Sequence, residues 1–195
     1  MIAAIILAAG ASSRMGSPKA LLKFRDETFI GRLTRVYGEF CSPVIVALGF
    51  HAVAIRPALP AWVIAAVNPA PQRGQLSSLQ TALVELPADA EGFLFAPVDS
   101  PAVESATVGL LARQFENRDP ATLFVIPRYR GQRGHPVFAA PVIAREFLAL
   151  PADAQAREVV HRYVEQTQYI DVTDPGILTD VDDPAAYRKL TGDAP

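Results

Sequence analysis

A chain of 195 residues, half of them hydrophobic and 19% charged, carries enough apolar material for one packed domain and too little charge for a disordered one. With 18 Lys and Arg against 20 Asp and Glu, its formal net charge of −2 argues against a non-specific nucleic-acid binder, which would present a basic face. A single cysteine, Cys41, excludes an intrachain disulfide and fits a reducing, cytoplasmic setting.

The chain opens on an apolar run, residues 1–9. It is too short to span a bilayer and lacks a basic segment before it, so it reads as a buried strand at 2–7 and not as a signal peptide. No other segment is long and apolar enough to cross a membrane. The strand empties into Gly10-Ala11-Ser12-Ser13-Arg14-Met15-Gly16-Ser17-Pro18-Lys19. Small side chains leave backbone N–H groups free to wrap an anion, and Arg14 and Lys19 add two cations; the simplest ligand is a polyphosphate. The loop is not a P-loop, because Ala20 follows Lys19 where Ser or Thr is needed. Nor is it a dinucleotide fingerprint, because Ser12 stands where the second glycine belongs.

Thr28 is placed to cap a helix over 29–40, and Cys41, next to an apolar run, reads as a buried structural thiol. Continuous apolar runs predict strands at 44–48, 63–67, 93–96 and 122–126, each covered on both faces. Between the second and third lies Asn68-Pro69-Ala70-Pro71-Gln72-Arg73-Gly74-Gln75, then a helix over 76–86 whose first turn holds Ser77 and Ser78. Such a loop can read a base, and the helix N-terminus can receive phosphate; a plain connection capped by Ser77 is the alternative. Asp99 follows the 93–96 strand directly. It is either a metal-binding carboxylate at the ligand-binding edge of a parallel sheet or a turn residue before a helix over 103–115.

Gly131 to Pro136 reads as a turn with Arg128, Arg130 and Arg133 around it and His135 inside it, followed by an apolar run at 137–140. Helices are expected at 142–150 and 157–166, a strand at 169–172, and a last helix at 184–190. Before that helix, Asp180-Val181-Asp182-Asp183-Pro184 puts Asp180 and Asp182 on one side if extended; a solvated turn capped by Asp183 is the plainer reading. Strands alternating with helices imply one domain, 1–190, built as a three-layer α/β/α sandwich on a mostly parallel sheet, with residues 191–195 a frayed tail.

The ordered pattern Leu7-Ala8-Ala9-Gly10-x-Ser12-x-Arg14-Met15-Gly16-x-x-Lys19 closely resembles the signature of the nucleotidyltransferases. Within them it is most similar to the MobA/MocA-like group and its molybdenum-cofactor cytidylyltransferases. The resemblance implies a Rossmann-like (GT-A-like) fold and an Mg²⁺-dependent enzyme that moves a nucleotide from an NTP to a phosphate-bearing acceptor and releases pyrophosphate. By resemblance, Leu7, Ala8, Ala9, Gly10, Ala11, Ser12 and Lys19, with Asn68, Gly74, Ser77 and Ser78, bind the nucleotide. Arg14 and Lys19 are catalytic. Asp99, in Val98-Asp99-Ser100-Pro101, and Asp182, with Asp180 as the other candidate, hold the metal. His135, in a Gly-His-Pro motif, belongs to the acceptor side.

Two departures stand out against the family pattern: Pro71 where an aromatic residue is usual, and Asp183 in place of Thr. Leu-Ala-Ala-Gly, with Ala9 in place of a second glycine, points to CTP over GTP. The implied acceptor is a molybdopterin-type cofactor, the implied partner a molybdoenzyme or its maturation factor; neither nucleic acid nor membrane is expected. Sugar, polyol and methylerythritol phosphates are rival acceptors, and a nucleotide-binding delivery module without turnover is the rival in another functional class.

Overall fold

The computed structural model describes residues 1–151 and 154–192; residues 193–195 of the expected tail lie outside the described set. β1 (Ile2–Ala8) is followed by a small hairpin, β2 (Lys23–Phe24) and β3 (Glu27–Thr28), and by helix α1 (Phe29–Gly38). β4 (Val44–Leu48), α2 (Ala52–Ile55), β5 (Ile64–Val67), α3 (Gln75–Leu83), β6 (Gly92–Pro97) and α4 (Ser105–Glu116) come next. β7 (Phe124–Tyr129), β8 (Gln132–Arg133), β9 (Val137–Ala139), α5 (Val142–Ala149), α6 (Ala156–Arg162), β10 (Thr167–Asp171) and α7 (Pro184–Thr191) complete it.

Among the described residues the main sheet runs β10-β7-β9-β6-β1-β4-β5, with β8 attached to β7. β6, β1, β4 and β5 pair in parallel, as do β7 and β10, while β9 is antiparallel to both its neighbours. The expected mostly parallel sheet is therefore present. The reversal at β9 has a local cause. Arg130 and Gly131 both take positive φ, +48° and +82°, the signature of a tight type I′ hairpin joining β7 to β8.

β1 shows why both faces are covered. Ile2, Ala4, Ile6 and Ala8 enter one core with α1 and α4, while Ala3, Ile5 and Leu7 enter the other with α3 and α5. Alternation in a strand sends successive side chains to opposite faces, so a run apolar at every position needs helices on both sides. α1 starts where expected, with the Thr28 hydroxyl accepting from the Gly31 N–H at 3.1 Å. Asp183 caps α7 in the same way, accepting from Ala186 N–H at 2.9 Å. Cys41 is buried, and burial pushes its thiol up to about 12, so it is a packing residue.

Several expected boundaries shift; the helix expected over 76–86, for one, runs Gln75–Leu83. The helix expected from 103 begins at Ser105, because Glu104 is extended with its N–H held by the Asp174 carboxylate. The helix expected to 166 ends at Arg162 and gives way to a 3₁₀ turn. The β2–β3 hairpin has no counterpart in the sequence reading: two-residue strands are too short to show a period.

Candidate active site

The carboxyl ends of β6, β1, β4 and β5 lie side by side, so the loops that leave them share one edge of the sheet. A cavity of about 550 Å³ opens there. Leu7 to Ser12 line it, with Arg14, Lys19, Gly74, Ser78, Asp99 and Asp182. Segments far apart in sequence thus converge on one space.

The loop after β1 is held by its own chemistry. Ser12 has φ +51°, a left-handed conformation usually left to glycine, which is how the chain turns here without the second glycine of a dinucleotide loop. Its carbonyl accepts from Met15 N–H at 2.9 Å, and its hydroxyl accepts from Lys19 N–H at 3.1 Å. Ser12 therefore fixes the start and end of the loop together and sets where Lys19 leaves the backbone.

The Lys19 ammonium lies 2.9 Å from Asp99 Oδ2 and 2.7 Å from Asp182 Oδ1, and its side chain is only 12% exposed. Arg14 adds a weaker contact to Asp182 at 3.3 Å. Burial works against the charge on Lys19, but hydrogen bonds to Asp182 and Asp99, with their charges, outweigh it and hold the ammonium above the usual lysine range. The same Lys19 hydrogen bond holds the Asp182 carboxyl below its ordinary value. Asp180, though exposed as a residue, moves the other way: partial desolvation of its carboxyl, then the charges of Asp99 and Asp182, push it up to about 6.

Asp99, Asp180 and Asp182 each offer an oxygen within 4.8 Å of the others. Val181 between the two later acids is buried, and its N–H donates to the Asp99 carbonyl at 2.9 Å, which ties the C-terminal acidic segment to the end of β6. Both members of the pair reach Asp99, as alternation along an extended segment requires. The donor set fits a hard divalent cation: all oxygen, three carboxylates, and one of them, Asp99 Oδ1, buried with no hydrogen-bond partner. Such an orphaned acceptor is costly unless something charged or donating approaches it. Asp99 does sit in a turn, but it caps no helix: its side chain points to Lys19 and α4 begins only at Ser105.

The loop after β5 corrects part of the sequence reading. Asn68 and Ser77 are buried and do not line the cavity. The Asn68 amide donates to Ser77 Oγ at 2.8 Å and Ser78 Oγ at 3.1 Å, and its carbonyl oxygen accepts from Ala70 N–H at 2.9 Å. Ser77 in turn donates to Gly74 O at 3.0 Å. These side chains are spent on bracing the loop, which presents Gly74 and Ser78 to the cavity, with Pro71 and Gln72 beside them.

His135 lies off the main cavity, on a small adjoining pocket shared with Leu7, Gln75 and Pro97. Its Nδ1 is buried without a partner, and burial lowers its pKa, so the ring is neutral. The basic run near it is largely committed: Arg128 grips Asp171 with two hydrogen bonds, at 2.7 and 2.9 Å, and Arg133 donates to Tyr169 Oη at 3.2 Å.

Sequence reasoning missed the loop after β4. Phe50 and Ile55 line the cavity, Phe50 N–H donates to Ala9 O at 3.3 Å, and His51 Nε2 lies 2.8 Å from Ala11 O. A Cβ on Gly49 would sit 2.5 Å from Ala9 O, so only glycine lets this loop lie against the β1 loop. The only signal in the sequence was Gly-Phe-His directly after a buried strand.

A family model described as "MobA-like NTP transferase domain" matches residues 4–167. The chain is similar to the Escherichia coli "Molybdenum cofactor cytidylyltransferase", 23% identical over 92% of this chain and 90% of that one. It is also similar to a "Probable molybdenum cofactor guanylyltransferase" of Bacillus cytotoxicus, 27% identical over 68% of this chain. That match spans 64% of the Bacillus protein, just under two thirds of its length. Among solved structures, Rv0371c of Mycobacterium tuberculosis H37Rv superposes with a TM-score of 0.80 at 29% identity, covering 99% of each chain. A structure of Rv0371c in complex with manganese gives 0.74 at 27%, again over 99% of each.

Proposed function

We propose that the chain, which belongs to the family of MobA-like NTP transferase domains, transfers CMP from CTP to the terminal phosphate of a molybdopterin-type cofactor in the cytoplasm. An acceptor phosphate oxygen bonds to the α-phosphorus of the nucleotide, the α–β phosphoanhydride bond breaks, and pyrophosphate leaves with the bridging oxygen. The observation that carries this reading is the position of Lys19, paired with Asp99 and Asp182 in the cavity that the β1 loop lines.

Chemistry of this kind asks little covalent help of a protein; it asks for positioning and for neutralised charge. The backbone N–H groups of the β1 loop, from Ala9 to Ser12, meet phosphate oxygens without side chains in the way. Lys19 and Arg14 supply positive charge as it builds on the α-phosphate and the departing pyrophosphate. Asp99 and Asp182, with Asp180, are the residues that would hold Mg²⁺. Bound there, the ion would supply charge neutralisation for the triphosphate and polarisation of the phosphoryl group. His135, neutral and on the small pocket adjoining the cavity, is the residue assigned to the acceptor side, on the strength of its Gly-His-Pro motif. The preference for CTP rests on Ala9, and the molybdopterin acceptor on the names of the two curated relatives. The product would pass to a molybdoenzyme or its maturation factor.

Pyrophosphate release tests this, with CTP, GTP, ATP and UTP offered separately alongside Mg²⁺ and molybdenum-loaded molybdopterin, and Asp99→Ala as control. Release with CTP, lost in the control, is expected. Release with GTP alone keeps the enzyme class and overturns the reading of Ala9. Silence with all four, but with nucleotide still bound, favours the delivery module or another phosphate acceptor, which a panel of sugar and polyol phosphates separates.

A further inference from the structure

We propose that Phe50 is the surface on which the nucleotide base stacks, an inference that rests on the cavity being a nucleotide site. Phe50 is a large aromatic side chain, 52% exposed, on the wall of a cavity whose other end is charged. Its place along the sheet edge fits that role. The strand order β6-β1-β4-β5 puts Asp99 at one end, the phosphate-wrapping loop next, and Phe50 after it. Neighbouring strands are about 4.8 Å apart, so β4 lies about 10 Å from β6, far enough for a nucleotide with its phosphates near Asp99 and Lys19 to bring its base to Phe50.

The backbone under Phe50 is fixed. Its N–H donates to Ala9 O, His51 bonds Ala11 O at 2.8 Å, and the Gly49 approach leaves no room to slide. A ring carried on so constrained a backbone loses little freedom on stacking. Pro71 stands next to it: a Cβ on Gly49 would lie 2.8 Å from Pro71 Cβ, and both Phe50 and Pro71 line the cavity. Stacking tolerates any base, so Phe50 contributes affinity for the nucleoside without itself discriminating among bases.

The test is calorimetric binding of CTP, GTP and inorganic tripolyphosphate to the wild-type chain and to Phe50→Ala, Phe50→Leu and Phe50→Trp, all with Mg²⁺. Alanine should weaken both nucleotides by about 5- to 150-fold, the usual range for a lost base–aromatic stack, and leave tripolyphosphate unchanged. Leucine should not rescue and tryptophan should. Equal nucleotide binding by wild type and Phe50→Ala overturns the stacking role while leaving the nucleotide site standing. A parallel loss of tripolyphosphate overturns it in favour of mere loop support. Wild-type protein that binds tripolyphosphate but no nucleotide overturns both this inference and the reading it rests on.

Discussion

Replacing Lys19 by methionine keeps the length and apolar stem of the side chain and removes only the ammonium. In the wild type that ammonium is shared between Asp99 and Asp182, and the three carboxylates crowd within 4.8 Å. Without it, each pair of charges at that separation repels by about 3.5 kcal/mol at an effective dielectric of ~20. Solvent at Asp180 and Asp182 screens most of this, leaving a metal-free loss of about 1–2 kcal/mol. For a chain of this length that is a fall in Tm of about 2–8 °C. Two further readouts should move in opposite directions. A divalent cation no longer competes with the ammonium, so Mn²⁺ should bind tighter by about 5- to 30-fold, the same 1–2 kcal/mol converted. Turnover should drop by about 10²–10³-fold, as when one transition-state donor is removed. Differential scanning calorimetry, Mn²⁺ titration by electron paramagnetic resonance, and pyrophosphate release read the three quantities. Wild-type turnover, or Mn²⁺ binding that weakens along with it, would refute the assignment of Lys19 as a cation poised between metal ligands and phosphate.

Other perturbations follow from the same geometry. Asp180, pushed up to about 6 from an ordinary carboxyl value, favours the neutral form in the fold, so metal-free stability should fall as pH rises from about 4 to 6 and level off above. Asp180→Asn should flatten that slope, gaining about 1 kcal/mol at pH 7 once solvent screening is allowed for. In the wild type, Mn²⁺ affinity should weaken as pH drops through about 6, because protons compete for the Asp180 carboxylate. Thr28→Ala removes the 3.1 Å cap on α1 and should cost about 1 kcal/mol in urea denaturation. Gly49→Ala puts a methyl 2.5 Å from Ala9 O; it should displace the β1 loop and weaken nucleotide binding in calorimetry while circular dichroism stays native. Cys41, buried with its thiol pushed up to about 12, should react with a disulfide reagent only as fast as the chain unfolds.

The fold was legible wherever packing dictates composition. β1 and β4 are apolar at every position because both faces are covered, and that continuity is visible without any structure. Caps at Thr28 and Asp183 were equally readable, since the hydroxyl or carboxylate stands next to the first helical turn it serves. What escaped were elements set by distant partners. α4 starts two residues late because Asp174, seventy positions on, holds Glu104 extended. The β2–β3 hairpin is too short for any periodicity to register.

In the cavity the same divide holds. Lys19, Asp99 and Asp182 stand in motifs with a chemical requirement at each position, and the sheet edge brings them together. Asn68 and Ser77 also stand in a motif, yet their hydrogen bonds run to one another and to the loop backbone, a bracing role that position alone cannot separate from ligand contact. Gly49, Phe50 and His51 carry no motif at all. Their part depends on β4 lying beside β1 in the sheet, so that the two following loops touch through Phe50 N–H, His51 Nε2 and the bare Cα of Gly49. Charge chemistry is written in residue type, whereas the apolar wall facing it is written in strand order. A ring at position 50 gains its meaning only once the neighbour of β1 is known.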